Sequence, residues 1–250
     1  MKKQNKQVEI EFFNKLAEAN EDYDTISENV YELILNKISP YFGDNLLEAG
    51  CGSGAFGLRI KSKKKETKIV GVDLNQKLVN LALKNEIYSK LICADIENKN
   101  LFKKSQFDTI ICPYLLHHFP DIQEVVDNCY YWLKPKGHLI VIDPNGSNLI
   151  LKISYLLRKF IISKITNTKK YASGNESHKS VPFFLKSLKK FEICSIETFE
   201  HKTKISLKLF PLTFIKTLAI IQKFLLKIYK NLFFIKFRGS DLIIISKKNE

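Results

Sequence analysis

The residues best suited to chemistry in this 250-residue chain begin with a run of glycines and carboxylates. Asn45-Leu46-Leu47-Glu48-Ala49-Gly50-Cys51-Gly52-Ser53-Gly54-Ala55-Phe56-Gly57 reads as a short apolar strand, a glycine turn and the start of a helix. Gly50, Gly52 and Gly54 remove Cβ atoms where the chain must turn tightly and where a ligand can approach the backbone. The helix that follows would point its free N–H groups into the turn. Such a unit makes a nucleotide-type site at the end of the first strand of an α/β sheet. Gly52, Gly54 and Gly57 also satisfy G-x-G-x-x-G, so on the glycines alone a dinucleotide site stays open. Carboxylates accompany the turn. Glu48 lies inside it, Asp73 ends the apolar run Lys68-Ile69-Val70-Gly71-Val72, and Asp95 follows Leu91-Ile92-Cys93-Ala94. A carboxylate such as Asp73 can accept from two ribose hydroxyls at once, with charge-assisted strength.

Taken in order, these segments resemble the class I S-adenosylmethionine (SAM) dependent methyltransferases, over roughly residues 8–145 and weakly beyond. Glu48-Ala49-Gly50-Cys51-Gly52-Ser53-Gly54 is similar to the first motif of that family. Phe107-Asp108-Thr109-Ile110-Ile111-Cys112-Pro113-Tyr114-Leu115-Leu116-His117-His118-Phe119 resembles its fourth strand and loop, and Trp132-Leu133-Lys134-Pro135-Lys136-Gly137-His138-Leu139-Ile140-Val141 the turn into its fifth. The resemblance implies SAM as cofactor, bound by Glu48, Gly50, Cys51, Gly52, Gly54, Asp73, Leu74, Asp95, Ile96 and Pro113. Within that set it gives Asp73 the ribose hydroxyls, and Asp95 with Ile96 the adenine. It also implies methyl transfer, an in-line displacement in which positioning alone can supply about 7–11 kcal/mol.

His117 and His118 follow strand four, where an acceptor would lie. A histidine there could take a hydroxyl proton, since its unperturbed pKa is about 6.5. Sequence does not separate the two as candidate catalytic residues, and one ring could simply hydrogen-bond the loop. Asp143 and Asn145 end strand five on the same rim, where they could touch substrate or form a structural turn. His178 lies in a polar loop before Pro182, and Tyr23 could reach the pocket from the N-terminal helical region; both are candidate substrate residues. No metal site is expected: Cys51, Cys93, Cys112, Cys129 and Cys194 are scattered singly with no C-x-x-C pair.

The elements that must position these residues read as an α/β fold: a seven-stranded, mostly parallel, Rossmann-like sheet with its last strand antiparallel and a helical insertion before that strand. Strands are expected at 45–49, 68–73, 91–94, 107–112, 138–142, 191–196 and 241–246. Continuous apolar runs suit a parallel sheet covered on both faces. Residues 8–38 read as one or two helices, with Phe12, Phe13, Leu16 and Ala17 on one apolar face and Val30, Leu33, Ile34, Leu35 and Ile38 on another. Further helices are expected at 55–60, at 75–88 capped by Asn75, after Asp121, at 149–165 and at 183–188. Residues 1–42 form an N-terminal helical segment that either lids the cofactor or packs on the sheet. Residues 43–250 form the methyltransferase domain, with 149–190 on the substrate side and 202–238 as a basic amphipathic insertion.

Charge is unevenly placed. Residues 1–150 carry 19 Lys and Arg against 20 Asp and Glu, whereas residues 151–250 carry 21 against 6. Helical spacing gathers Lys216, Lys223, Lys227 and Lys230 into a stripe opposite Phe214, Leu218, Ile221, Phe224, Leu225, Ile228 and Tyr229. That pattern suits an anionic membrane interface, or a helical hairpin packed on its own domain or on a second subunit in a dimer. The first residues lack an apolar signal core, and no apolar run is long enough to span a bilayer, so a cytoplasmic protein is expected, with membrane association the outcome only if residues 202–238 meet lipid rather than pack on the domain or a second subunit. The expected acceptor is small, glycan or lipid-linked, methylated on oxygen. An RNA methyltransferase is the less favoured alternative, because Cys112-Pro113-Tyr114 is a poor match to an Asn/Asp-Pro-Pro-aromatic signature. A non-catalytic binding module is a further alternative, against which the intact set of pocket acids argues.

Overall fold

A computed structural model describes residues 5–18, 27–148, 177–199 and 239–250. Tyr23, the helix expected at 149–165 and the insertion at 202–238 lie outside the described residues. Two helices, α1 (Lys6–Glu18) and α2 (Glu28–Ile38), precede the sheet. Strands β1 (Asn45–Ala49), β2 (Lys68–Asp73), β3 (Tyr88–Cys93), β4 (Phe107–Pro113) and β5 (Leu133–Pro144) follow. Between them run α3 (Ala55–Lys63), α4 (Gln76–Leu83) and α5 (Gln123–Trp132). The short helix α6 (Val181–Ser187), then β6 (Phe191–Phe199) and β7 (Asp241–Lys248), complete the described chain.

The seven strands form one sheet in the order β3-β2-β1-β4-β5-β7-β6. The first five are parallel, and β7 runs antiparallel to both β5 and β6. Alternating residues serve two buried faces, as the two-residue period of a strand requires. Leu47, Ile110, Leu139, Val141, Leu242 and Ile244 meet Val125, Val126, Cys129 and Trp132 of α5. Leu46, Ile69, Ile111, Ile140, Ile142, Ile243 and Ile245 meet Ile34, Leu35 and Ile38 of α2 and Phe56 and Ile60 of α3. Leu33, expected on the apolar face of α2, is instead exposed.

Two element boundaries differ from expectation for one reason. The helix expected at 75–88 stops at Leu83, and the strand expected from 91 begins at Tyr88. Between them Glu86 takes φ +54°, which a continuing helix cannot hold. Strand five likewise starts early, at Leu133, which pairs with Phe107 before a register shift. The cap does hold: Asn75 Oδ1 accepts from the amides of Lys77 and Leu78 at 2.9 and 3.1 Å.

Candidate active site

The sheet order sets the C-terminal ends of β3, β2 and β1 side by side, so Asp95, Asp73 and the glycine turn share one rim. Gly50, Gly52 and Gly54 have φ of +73°, +52° and +85°, conformations that L side chains rarely adopt. At Gly50 a Cβ would also lie 2.8 Å from Leu115 Cδ1, so the turn sits tight against the loop after β4. At Gly52 a Cβ would meet nothing within 4 Å, so the backbone there borders open space. The Gly50 and Cys51 amides donate to Val72 O (2.8 and 3.0 Å), and the Gly52 amide donates to Asp73 Oδ2 (2.9 Å). The turn is thereby clamped to the end of β2.

Asp73 is half-buried, and its other oxygen accepts from the Asn75 amide at 2.8 Å. Burial raises its pKa, and the backbone donors oppose that shift. A carboxylate has about four acceptor sites, so two backbone bonds leave room for a diol. Leu74 follows, its carbonyl 3.6 Å from Cys93 Sγ. Asp95 Oδ1 accepts from the Glu97 amide at 3.0 Å, while Oδ2 is bonded by Lys6 of α1. Ile96 is buried beside it, and Pro113 is buried at the end of β4.

Glu48 lies deeper than the other acids. It has no exposed surface, its Oε2 accepts from Tyr88 Oη at 2.7 Å, and its Oε1 has no hydrogen-bond partner. Burial pushes its pKa up to about 8, with Tyr88 and the Gly57 amide opposing and Asp73 adding to the rise. It therefore sits under the turn, against α3, rather than on the rim with Asp73 and Asp95.

The second cluster gathers at the ends of β4 and β5. His117 Nδ1 is 2.7 Å from Asp143 Oδ1, and both groups are buried. The His118 ring lies 4.0 Å from that of His117, and its Nδ1 is 2.6 Å from Glu9 Oε1 of α1. His178 is exposed, with its ring 6.5 Å from that of His117. Asn145 stands apart from this group in its duties. Its side chain donates to Gly239 O (2.9 Å) and accepts from the Ser147 amide (3.0 Å), so both ends of the amide hold the turn after β5.

Sequence reasoning did not single out Lys6, Glu9, Tyr88, Tyr114 or Lys179. Glu9 is only 6% exposed, although it reads as a polar position of an amphipathic helix. Tyr114 takes φ +51°, a strained conformation that nothing in Pro113-Tyr114 signals. Lys179 is buried beside the histidines, in a loop whose length of polar residues reads as solvated. The described residues hold no cluster of ligands able to bind a metal ion.

Residues 47–141 match a family model described as a methyltransferase domain. A malonyl-[acyl-carrier protein] O-methyltransferase of Priestia megaterium is 30% identical over 141 residues, covering 54% of this chain and 51% of its own. A ubiquinone biosynthesis O-methyltransferase of Coxiella burnetii is 35% identical over 102 residues, covering 39% and 42%. The chain thus spans about half the length of the curated relatives it matches. Among solved structures, a SAM-dependent methyltransferase from Thermotoga maritima superposes with a TM-score of 0.65 at 15% identity, covering 96% of this chain and 99% of that one. One from Archaeoglobus fulgidus gives 0.60 at 21% identity, covering 89% and 95%. These two show the same fold. The matched residues 47–141 run from β1 into β5, so the similarity to a methyltransferase domain covers the glycine turn, Asp73, Asp95 and the two histidines after β4.

Proposed function

We propose that the protein transfers a methyl group from SAM to an oxygen atom of a small, glycan or lipid-linked acceptor. The observation that carries this reading is the shared rim of β3, β2 and β1, with open space over Gly52 and two carboxylates beside it. Asp73 would take the ribose hydroxyls and Asp95 the adenine amino group, with Ile96 against the ring. A sulfonium and an ammonium are cations; the Asp73 carboxylate would face them, and Glu48, protonated up to about pH 8, would add its charge on ionising as they bind. When bound, SAM supplies an activated methyl group; the protein positions the acceptor and excludes water. Transfer to oxygen is the chemistry named for the relatives from Priestia megaterium and Coxiella burnetii.

Helix α1 would cover the cofactor. Lys6 pairs with Asp95 and with Glu97 (2.6 Å), the Asn75 side chain donates to Ile10 O (3.2 Å) and to Asn14 Oδ1 (3.1 Å), and Glu9 meets His118. One helix therefore touches the rim at β2, β3 and β4. Residues 202–238 would hold the protein at an anionic leaflet, where each lysine near the surface adds about 1 kcal/mol.

Release of S-adenosylhomocysteine from SAM in the presence of hydroxyl-bearing acceptors tests the activity. Turnover lost in Asp73→Ala is expected; turnover unaffected by that change contradicts the assignment. Sedimentation with phosphatidylserine vesicles, compared with a chain lacking residues 203–237, tests the membrane reading. Equal sedimentation of the two chains contradicts it.

A further inference from the structure

We propose that Tyr88 is a positioning residue for the cofactor: it crosses β2 through the gap left by Gly71 and holds the Glu48 carboxyl under the glycine turn, where that group answers the cationic end of the bound ligand. This deepens the methyltransferase reading and rests on it. In the sheet, β2 lies between β3, which carries Tyr88, and β1, which carries Glu48. A side chain on β3 reaches one on β1 only where the residue between them leaves room. Gly71, the register partner of Glu48, leaves it. A Cβ at Gly71 would lie 2.6 Å from Leu91 Cδ2 and 3.0 Å from both Cys51 Sγ and Tyr88 Cε1. A glycine inside a strand often marks such a close approach.

The aim of Tyr88 is set locally. The register between β2 and β3 passes from Ile69 with Tyr88 to Val70 with Lys90, so Ser89 is skipped, and its Oγ donates to Ile69 O at 2.9 Å. An extra residue of this kind bends its strand and re-aims the side chains beside it. The Tyr88 hydroxyl then donates to Glu48 Oε2 at 2.7 Å. The same ring floors the turn. A Cβ at Gly54 would lie 3.1 Å from Tyr88 Cε2, and one at Gly57 would lie 2.3 Å from Tyr88 Oη. One side chain thus meets the acid of β1, the glycine turn and the first residues of α3.

The groups facing Glu48 are Tyr88 from β3, Asp73 at the end of β2, Cys51 in the turn and the Gly57 amide of α3. None of these four is a cation, so ionisation of Glu48 depends on its hydrogen-bond donors and on the ligand. Burial raises its pKa to about 8, and the Tyr88 bond is the foremost effect opposing that rise. Burial, followed by the Glu48 charge, raises the pKa of Tyr88 in turn, so the phenol keeps its proton and donates whether Glu48 is charged or neutral. A hydrogen bond to an ionised acceptor is stronger than one to a neutral acceptor. Tyr88 therefore favours the charged form of Glu48 that a bound ammonium calls for. Tyr88→Phe would keep the floor of the turn filled and give up that preference.

NMR titration of the unliganded full-length protein, labelled with ¹³C at glutamate Cδ and tyrosine Cζ, tests the contact, with Glu48→Gln and Tyr88→Phe identifying the signals. A Glu48 midpoint near pH 8, followed by the Tyr88 Cζ signal at the same midpoint, is expected. Tyr88→Phe should move the Glu48 midpoint upward. A Tyr88 signal that does not follow Glu48, or a midpoint unmoved in the variant, overturns the inference. If Tyr88→Phe does not fold, the wild-type Tyr88 signal decides. Calorimetry with S-adenosylhomocysteine, which keeps the ammonium, tests the consequence, and the ligand's own titration is common to both proteins. Affinity about 10-fold weaker in Tyr88→Phe at pH 7, with the difference narrowing as pH rises beyond the Glu48 midpoint, is expected. Equal affinity in the two proteins, or a loss of the same size at every pH, overturns it. Absence of binding to the wild type would instead remove the methyltransferase reading, and the cofactor role of Tyr88 with it, while the contact stands as titrated.

Discussion

A carboxylate sealed beneath a glycine turn, as Glu48 is, keeps its proton to about pH 8. The unfolded chain releases that proton near the ordinary value of 4.5, so between those limits the folded state binds the extra proton. The stabilisation is therefore complete below about pH 4.5 and declines as pH rises through 8. Thermal melts across that window should show wild-type Tm falling relative to Glu48→Gln as pH rises; parallel profiles would contradict the raised pKa of Glu48. A cationic ligand nearby favours the ionised form, so SAM binding at pH 7 should release protons. Calorimetry in buffers of different ionisation enthalpy measures this, and Glu48→Gln should abolish most of the release. Gly57 belongs to the same pocket. A Cβ there would lie 2.3 Å from Tyr88 Oη and 2.6 Å from Glu48 Oε2. Gly57→Ala should therefore lose about 1–3 kcal/mol of stability by overpacking, read as a lowered denaturation midpoint. The sequence marked Asp73, Asp95 and the histidines because strand ends reveal rim positions. It could not mark Tyr88 as the partner of Glu48, since contacts 40 residues apart leave no local pattern.

Among the elements, the strands were the most legible, because burial on both faces leaves unbroken apolar runs such as Ile110 to Cys112 and Ile243 to Ile245. The end of α4 was not, since Leu83, Ile87 and Tyr88 continue a helical spacing that only the left-handed Glu86 interrupts. Helix α1 was legible as a helix, while its docking was not. The apolar face carrying Phe12 and Phe13 is only half-buried, and the best-buried described residue of α1 is the acid Glu9. Asn75 joins two elements, capping α4 through its oxygen and holding α1 through its nitrogen. Asn75→Ala should cost about 0.5–2 kcal/mol through the lost cap. It should also loosen α1, so that hydrogen exchange speeds up in residues 6–18 while the β1 and β4 amides stay protected. Unchanged exchange in α1 would mean that its other contacts suffice to hold it.

At the scale of the molecule, the nearly neutral first 150 residues hold the rim and the histidine cluster, while the positive charge accumulates after them. Composition made that division plain, and the residue 202–238 stripe lies outside what the structure describes. No helix among the described residues is long and apolar enough to cross a membrane. The account as a whole depends on the open space over Gly52 accepting an adenosyl ligand through Asp73. Titration calorimetry with S-adenosylhomocysteine, on wild type and on Asp73→Ala shown to be folded, addresses this most directly. Saturable one-to-one binding weakened about 10–100-fold in the variant is predicted, as befits loss of a charged hydrogen-bond acceptor worth about 1.5–3 kcal/mol. Absence of binding to the wild type, or equal affinity in the two proteins, would contradict it.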